Sequence, residues 1–179
     1  MQTTPMTVSK HEESAEKDIR RVCFVCTGNT CRSPMAAAVA NAAAQKELAS
    51  LPPSVQALAT PDFQAFSAGL CANDGEPIAA NAVRALEHAN VPPVKNLDYR
   101  THSAHTLTEE EAAEYDLLIG LTRDHALALM LHFPHLAQRI TVFPKDISDP
   151  YGGTLELYRS CLEQISEGVS RLLFSGEHS

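Results

Sequence analysis

Residues 20–36 read RRVCFVCTGNTCRSPMA and join three kinds of local structure. The apolar run Arg20–Cys26 is rich in β-branched and aromatic side chains, which predicts a buried strand. Thr27–Thr30 has the composition of a loop. Ser33 near the cap position and Pro34 in the first turn then predict the start of a helix. The first unit of the chain is therefore predicted to be a strand, a tight loop and a helix.

The same alternation continues along the chain. Three more segments have the short, apolar character of buried strands: Phe63–Ala68, Tyr115–Leu121 and Arg139–Phe143. Helix formers, helical spacing or cap residues mark Met35–Leu48, Pro77–Ala89, the stretch from Thr108, Arg123–Phe133 and Thr154–Phe174. Strands that are apolar on both faces are typical of parallel sheets covered on both sides, so we predict an α/β fold. Its expected core is a four-stranded parallel sheet with helices on both faces, flavodoxin-like in strand order.

Length and charge narrow the class of protein. The chain has 179 residues, which suits one domain with its own core. Residues 1–18 are polar and lack periodicity, so we expect a disordered tail ahead of a single domain over residues 19–175. A net charge of −8 argues against nucleic acid as a partner. Apolar runs fall short of the roughly 18 residues of a membrane span, and the first residues lack a signal-peptide core, so we expect a cytoplasmic protein with no membrane partner.

Candidate chemistry concentrates in the loop from Cys26 to Ser33, because ligands of open parallel sheets bind beyond the carboxyl ends of the strands. Successive amides between a strand end and a helix start can form an anion-binding nest, to which the helix dipole adds positive potential. Gly28 and Asn29 tolerate the left-handed backbone that such a curl requires. Arg32 offers a planar fork for two oxygens of a tetrahedral anion, and cysteines among such donors are favoured as nucleophilic thiolates. The loop therefore predicts a phosphate-like anion site with Cys26 at its base.

Two motifs resemble those of the low-molecular-weight protein tyrosine phosphatase family. Val25–Ala36 is similar to the family's phosphate loop, and residues 149–152 (DPYG) are similar to its distal general-acid motif. Ser67–Gly69 and the segment around His102 resemble further landmarks, so the resemblance extends over roughly residues 21–173. It implies a cysteine-dependent phosphatase with the flavodoxin-like sheet, working without a metal or another cofactor.

The resemblance also implies a role for each matching residue. Cys26 attacks phosphorus to form a phosphocysteine, and Arg32 binds the equatorial oxygens and stabilises the transition state. Asp149 protonates the leaving group and then activates the water that hydrolyses the intermediate. Ser33 hydrogen-bonds the thiolate, and Asn29 holds the loop in shape. Contacts to phosphate are expected from the whole loop: Thr27, Gly28, Asn29, Thr30, Cys31, Arg32 and Ser33.

Thr30 and Tyr151 bear on the choice of substrate. Typical tyrosine phosphatases of the family carry an apolar residue at the Thr30 position, whereas the form Thr-Gly-Asn-Thr resembles the bacterial protein arginine phosphatases. The single aromatic residue of the acid motif, Tyr151, favours the same branch and is expected to pack against the substrate side chain. We therefore expect a phosphorylated protein as the partner, with phosphoarginine preferred and phosphotyrosine as the close alternative.

Other hypotheses stay open. Arsenate reduction on the same loop needs a further cysteine pair for a disulfide relay, and Cys71 and Cys161 are 90 residues apart. A phosphate-binding module without turnover is a third hypothesis, against which the intact set of site residues argues. Cys31 is either an inert core thiol or a redox partner of Cys26. His102 is expected to be a structural hydrogen-bonding group, and the oligomeric state is left without a prediction.

Overall fold

The computed structural model of the protein describes residues 20–56 and 61–174. In this part of the chain, four parallel strands form one sheet: β1 (Arg20–Cys26), β2 (Phe63–Gly69), β3 (Leu117–Gly120) and β4 (Ile140–Val142). The helices are α1 (Arg32–Ala49), α2 (Pro53–Gln56), α3 (Ala80–His88), α4 (Glu109–Ala113), α5 (Arg123–His132) and α6 (Leu155–Val169). Short 3-10 turns lie at Tyr99–Thr101 and Pro134–Arg139, and a π-helical turn covers Ser170–Phe174. The predicted tail, residues 1–18, lies outside the described residues.

The strand order is β2-β1-β3-β4, which confirms the predicted flavodoxin-like parallel sheet. β1 lies inside the sheet and pairs with both β2 and β3. Its side chains alternate, so that Val22 and Phe24 enter one core cluster while Cys23 and Val25 enter the other. This burial on both faces explains why the strand reads as a continuous apolar run.

Helices cover the sheet on both sides. α1, α3 and α6 pack on the face that contains Phe24, whereas α4 and α5 pack on the face that contains Val25. The alanines of α1 let it approach the sheet closely, and Ala36 and Ala40 are fully buried. No helix in the described ranges has the length and apolar character that crossing a membrane requires.

Two helix starts differ from the prediction. α1 begins at Arg32, and Cys31 occupies its cap position without a side-chain cap bond. Ser33 therefore lies inside the first turn, where its hydroxyl is free for another contact. α3 begins at Ala80 rather than at Pro77, because Pro77 forms a bridge with Ser103 and residues 75–76 form backbone hydrogen bonds with Ala104.

The connectivity places one loop at a crevice. From β1 the chain moves to one side for β2 and then returns to the other side for β3. A ligand crevice forms at such a reversal, outside the carboxyl ends of the strands. Cys26 is the last residue of β1, so the predicted anion loop begins in this crevice.

Candidate active site

The backbone of the loop between β1 and α1 turns its acceptors outward. Carbonyl oxygens with partners outside the loop are those of Cys26, Thr27, Asn29 and Thr30. By contrast, the backbone N–H groups from Thr27 to Ser33 have no hydrogen-bond partner within residues 20–56 and 61–174. Unpartnered amides at a helix N-terminus are the usual protein site for a phosphate-like anion.

Asn29 holds the shape of this loop. Its φ of 56° is left-handed, which asparagine tolerates better than most residues. Its Nδ2 donates to Ser33 Oγ at 2.9 Å and to Ser67 Oγ at 3.0 Å. Its Oδ1 accepts from the backbone N–H of His105 at 3.1 Å, which determines which end of the amide points to the serines. These contacts come from β2 and from the segment before α4, so several parts of the fold anchor one loop residue.

The Cys26 thiol lies at the base of the loop, and its residue is 2% exposed. Its Sγ is 3.0 Å from Ser33 Oγ. Ser33 Oγ accepts a hydrogen bond from Asn29, and its single hydrogen has two acceptors within reach, the Cys26 sulfur and the carbonyl oxygen of Ala68 at 3.4 Å, of which a thiolate is the stronger. Ser33 therefore contacts the thiol from behind the loop, and a thiolate there has a hydrogen-bond donor.

Arg32 adds a buried cation to the same site. Its guanidinium donates from Nη1 to the carbonyl oxygen of Ile147 at 3.2 Å and from Nη2 to Asp149 Oδ2 at 2.9 Å. Its Nε is buried and has no partner among the described residues. A buried donor without an acceptor is costly, so this N–H is ready for an incoming anion.

Asp149 and Tyr151 stand at the mouth of the site. The Asp149 side chain is 52% exposed, and its Oδ1 accepts from the backbone N–H of Tyr151 at 3.2 Å. Tyr151 is 68% exposed, which leaves its ring free for a substrate side chain. A cavity of about 250 Å³ lies between these residues and the loop, and its lining is Cys26–Arg32, Cys71, Asn73, Glu76, Asp149 and Tyr151. The structure thus brings the predicted residues to one cavity, except that Ser33 lies behind it.

Thr30 and Cys31 are buried neighbours in the loop. Thr30 Oγ1 is 3.6 Å from Cys31 Sγ, so its hydroxyl has only a weak partner. Cys31 Sγ is 3.2 Å from the hydroxyl oxygen of Tyr158 on α6. Burial raises the pKa of the Cys31 thiol, although hydrogen bonds from Tyr158 and Thr30 oppose this. Cys31 and Cys26 are both free thiols here, and the redox role of Cys31 stays a prediction.

His125 is a site neighbour that the sequence analysis missed. Its Nε2 lies 3.0 Å from Thr27 Oγ1. It stands in the first turn of α5, directly beyond the carboxyl end of β3. This position in the sequence, just after a predicted strand and at the start of a predicted helix, could have indicated a site residue, because such helix starts border the ligand crevice. His102 proves to be the hydrogen-bonding group that was expected, with Nε2 at 2.7 Å from the carbonyl oxygen of Asn29.

Comparison with known proteins agrees with this architecture. Residues 21–178 match the family model described as low molecular weight phosphotyrosine protein phosphatase. The chain belongs to this family. Membership makes the protein a cysteine-based protein phosphatase, an enzyme that hydrolyses a phosphoester or phosphoramidate bond.

The relatives of this phosphatase include proteins named as arginine phosphatases and proteins named as tyrosine phosphatases. A protein-arginine-phosphatase of Geobacillus stearothermophilus is 29% identical over 85% of this chain and 93% of its own. A low molecular weight protein tyrosine phosphatase from T. tengcongensis matches in structure, with a TM-score of 0.71, 34% identity, and coverage of 86% of this chain and 97% of that one. A cysteine-to-serine mutant of the YwlE arginine phosphatase, with a phosphorylated active-site serine, matches with a TM-score of 0.70, 26% identity, and coverage of 85% and 92%.

Proposed function

We propose that this phosphatase hydrolyses phosphoarginine in proteins through a phosphocysteine on Cys26. The observation that supports it best is the set of unpartnered donors around a buried thiol. These donors are the loop N–H groups and Arg32 Nε, none of which has an acceptor in the described part of the chain. They match the oxygens of a transferring phosphoryl group, whose charge must be stabilised in the transition state.

The proposed reaction has two steps. The Cys26 thiolate attacks phosphorus while the bond from phosphorus to the guanidinium nitrogen breaks, and Asp149 gives that nitrogen a proton. The Asp149 carboxylate then takes a proton from water, whose oxygen attacks phosphorus and releases the thiolate and inorganic phosphate. Arg32 and the loop amides bind the three other oxygens in both steps.

Thr30 supports the choice of phosphoarginine. It is 6% exposed, lines the cavity, and has a hydroxyl without a strong partner. A guanidinium nitrogen attached to phosphorus can share a hydrogen bond with a hydroxyl, whereas a phenolic ester has no N–H at this place. The exposed ring of Tyr151 can stack on a guanidinium plane.

The test compares kcat/KM on matched phosphoarginine and phosphotyrosine peptides. We expect the wild type to prefer phosphoarginine and Thr30→Ile to reverse that preference. Thr30→Val keeps the shape of threonine and loses only the hydroxyl, and Cys26→Ser is the inactive control. A preference for phosphotyrosine that Thr30→Ile leaves unchanged would contradict the phosphoarginine proposal and keep the two-step mechanism.

Phosphotyrosine is the second candidate, because the exposed Tyr151 ring can stack on a phenyl ring equally well. Acid quench during turnover tests the step common to both candidates, since it should trap phosphate on Cys26. Turnover without this adduct would contradict the covalent mechanism. A cytoplasmic location is part of the proposal, because a catalytic thiol of this kind has to stay reduced.

A further inference from the structure

The imidazole of His125 touches the phosphate loop from outside the cavity. Its Nε2 lies 3.0 Å from the hydroxyl oxygen of Thr27, and the residue is 6% exposed. The other ring nitrogen, Nδ1, is buried without a partner among the described residues. Within this part of the chain, the Thr27 hydroxyl is therefore the only hydrogen-bonding partner of the ring.

Close packing sets the position of this ring. Thr122 Oγ1 caps α5 by accepting from the backbone N–H of His125 at 3.2 Å. β3 ends at Gly120, where an added Cβ would overlap the backbone nitrogen of Ala126. α5 thus begins in direct contact with the end of the sheet, and His125 is aimed at the loop with little freedom to move.

Thr27 is held from two sides. Its hydroxyl contacts His125, and its carbonyl oxygen accepts from the backbone N–H of Cys71 at 3.0 Å. Together these contacts hold the peptide units that directly follow Cys26, and the N–H groups of these units are unpartnered in the described part of the chain. Without the contact from His125, this first part of the loop has one restraint fewer.

Burial and the neighbouring Arg32 cation favour the neutral form of the ring. Burial and then the nearby Arg32 cation lower the pKa of His125, although Asp124, Asp149 and Asp146 oppose this. A neutral ring can hold Thr27 without adding a second buried cation beside Arg32.

We propose that His125 is a positioning residue for phosphate binding, which acts through the Thr27 hydroxyl on the first turn of the loop. It touches neither the substrate nor the reacting atoms. The inference rests on the proposed function only in taking the loop as the phosphate site.

Amide replacements of His125 give a sharp test. Glutamine places its terminal amide near the position of Nε2, whereas asparagine places its amide near Nδ1 and away from Thr27. We expect His125→Asn and His125→Leu to weaken binding of inorganic phosphate about tenfold, the usual effect of losing one well-placed hydrogen bond. His125→Gln should stay within about threefold of the wild type. Titration calorimetry measures the affinities, and thermal unfolding checks that each variant is folded.

Substitutions of Thr27 test the same contact from its other side. Thr27→Val should weaken phosphate binding as much as His125→Leu, and Thr27→Ser, which keeps the hydroxyl, should recover most of the affinity that Thr27→Val loses. The double variant Thr27→Val, His125→Leu should be no worse than either single one, since both remove the same contact. Additive losses, or equal losses with glutamine and asparagine, would overturn the inference.

Phosphate affinity needs no turnover, so a wild type that binds phosphate without hydrolysing peptides would contradict the proposed function alone.

Discussion

Arg32 donates a hydrogen bond from Nη2 to Asp149 Oδ2 over 2.9 Å, although 117 positions separate the two residues. The arginine side chain is 7% exposed and the aspartate side chain 52% exposed, so the pair spans the site from its base to its mouth. A phosphate that enters would meet Arg32 Nε directly, but it would compete with Asp149 for Nη2. Asp149, the proposed general acid, therefore holds the guanidinium of Arg32, the proposed anion-binding group, in place through Nη2.

Asp149→Asn should separate these two effects. We expect kcat to fall by roughly 10²- to 10³-fold, because an amide supplies no proton to the leaving group. Inhibition by inorganic phosphate should become about threefold stronger, because a neutral amide competes less for Arg32 and no longer repels the anion. Steady-state kinetics at pH 7 with phosphate as product inhibitor measures both values.

The matched control for this change is Asp146→Asn. Asp146 lies near the same segment and accepts from the backbone N–H of Arg123 at 3.0 Å, without a contact to Arg32. Removing its charge should leave kcat and phosphate inhibition within about twofold of the wild type. Equal losses in the two variants would show that net charge, rather than proton donation, explains the result.

Ser33→Ala tests the contact behind the nucleophile. The serine hydroxyl lies 3.0 Å from Cys26 Sγ and takes its orientation from Asn29. Without this donor, a thiolate is less stabilised, so alkylation of Cys26 by iodoacetate at pH 6.5 should slow by about tenfold. Ser33→Thr keeps the hydroxyl and should retain most of the rate. Unchanged alkylation in Ser33→Ala would mean that the loop amides and Arg32 stabilise the thiolate without Ser33.

The pair His105–Glu111 predicts a dependence of stability on pH. His105 Nε2 lies 2.9 Å from Glu111 Oε1, and this hydrogen bond raises the pKa of His105. Since the folded state holds this proton more tightly than the unfolded state, the gain in stability is present at low pH and is lost as pH rises through the folded value. Glu111→Gln should therefore lower the free energy of unfolding more at pH 6 than at pH 8.5.

Urea unfolding of both proteins across this range measures the difference. Burial acts to raise the pKa of Glu111, but hydrogen bonds from His105 and Tyr115 leave it lowered, so Glu111 stays ionised throughout. Glu110→Gln removes an exposed charge from the same helix and should show no such trend. A difference between wild type and Glu111→Gln that is constant with pH would contradict the assignment.

Gly120→Ala tests the contact between the end of β3 and the start of α5. An added Cβ would overlap backbone atoms of Ala126, which have no flexible end to move aside. We expect the free energy of unfolding to fall by about 1–3 kcal/mol, as overpacking usually costs. Gly28→Ala, whose Cβ would come no closer than 4.0 Å to Thr30 Oγ1, should leave stability nearly unchanged. Native stability in Gly120→Ala would show that α5 can shift away from the sheet.

Local patterns in the sequence were sufficient for the fold class and for the anion loop. β1 and its loop are contiguous, so apolar character, left-handed-tolerant residues and a proline in the first turn predict strand, curl and helix without reference to the rest of the chain. The same local rules place Ser33 near the cap position of α1, whereas in the structure Cys31 is the cap residue and Ser33 lies inside the first turn. The Ser33 hydroxyl contacts Cys26 instead of capping the helix, and this contact depends on the shape of the whole loop.

By itself, the sequence determined the order of strands and helices and the residues of the loop, because these depend on preferences over a few neighbouring positions. Only the tertiary structure decided which contacts distant groups make with that loop. His125 meets Thr27 because the parallel order β2-β1-β3-β4 brings the ends of β1 and β3 side by side. Asp149, which the family resemblance had assigned to the site, meets Arg32 from the segment that follows β4. Such contacts follow from sheet pairing and close packing, and no short-range pattern along the chain encodes them.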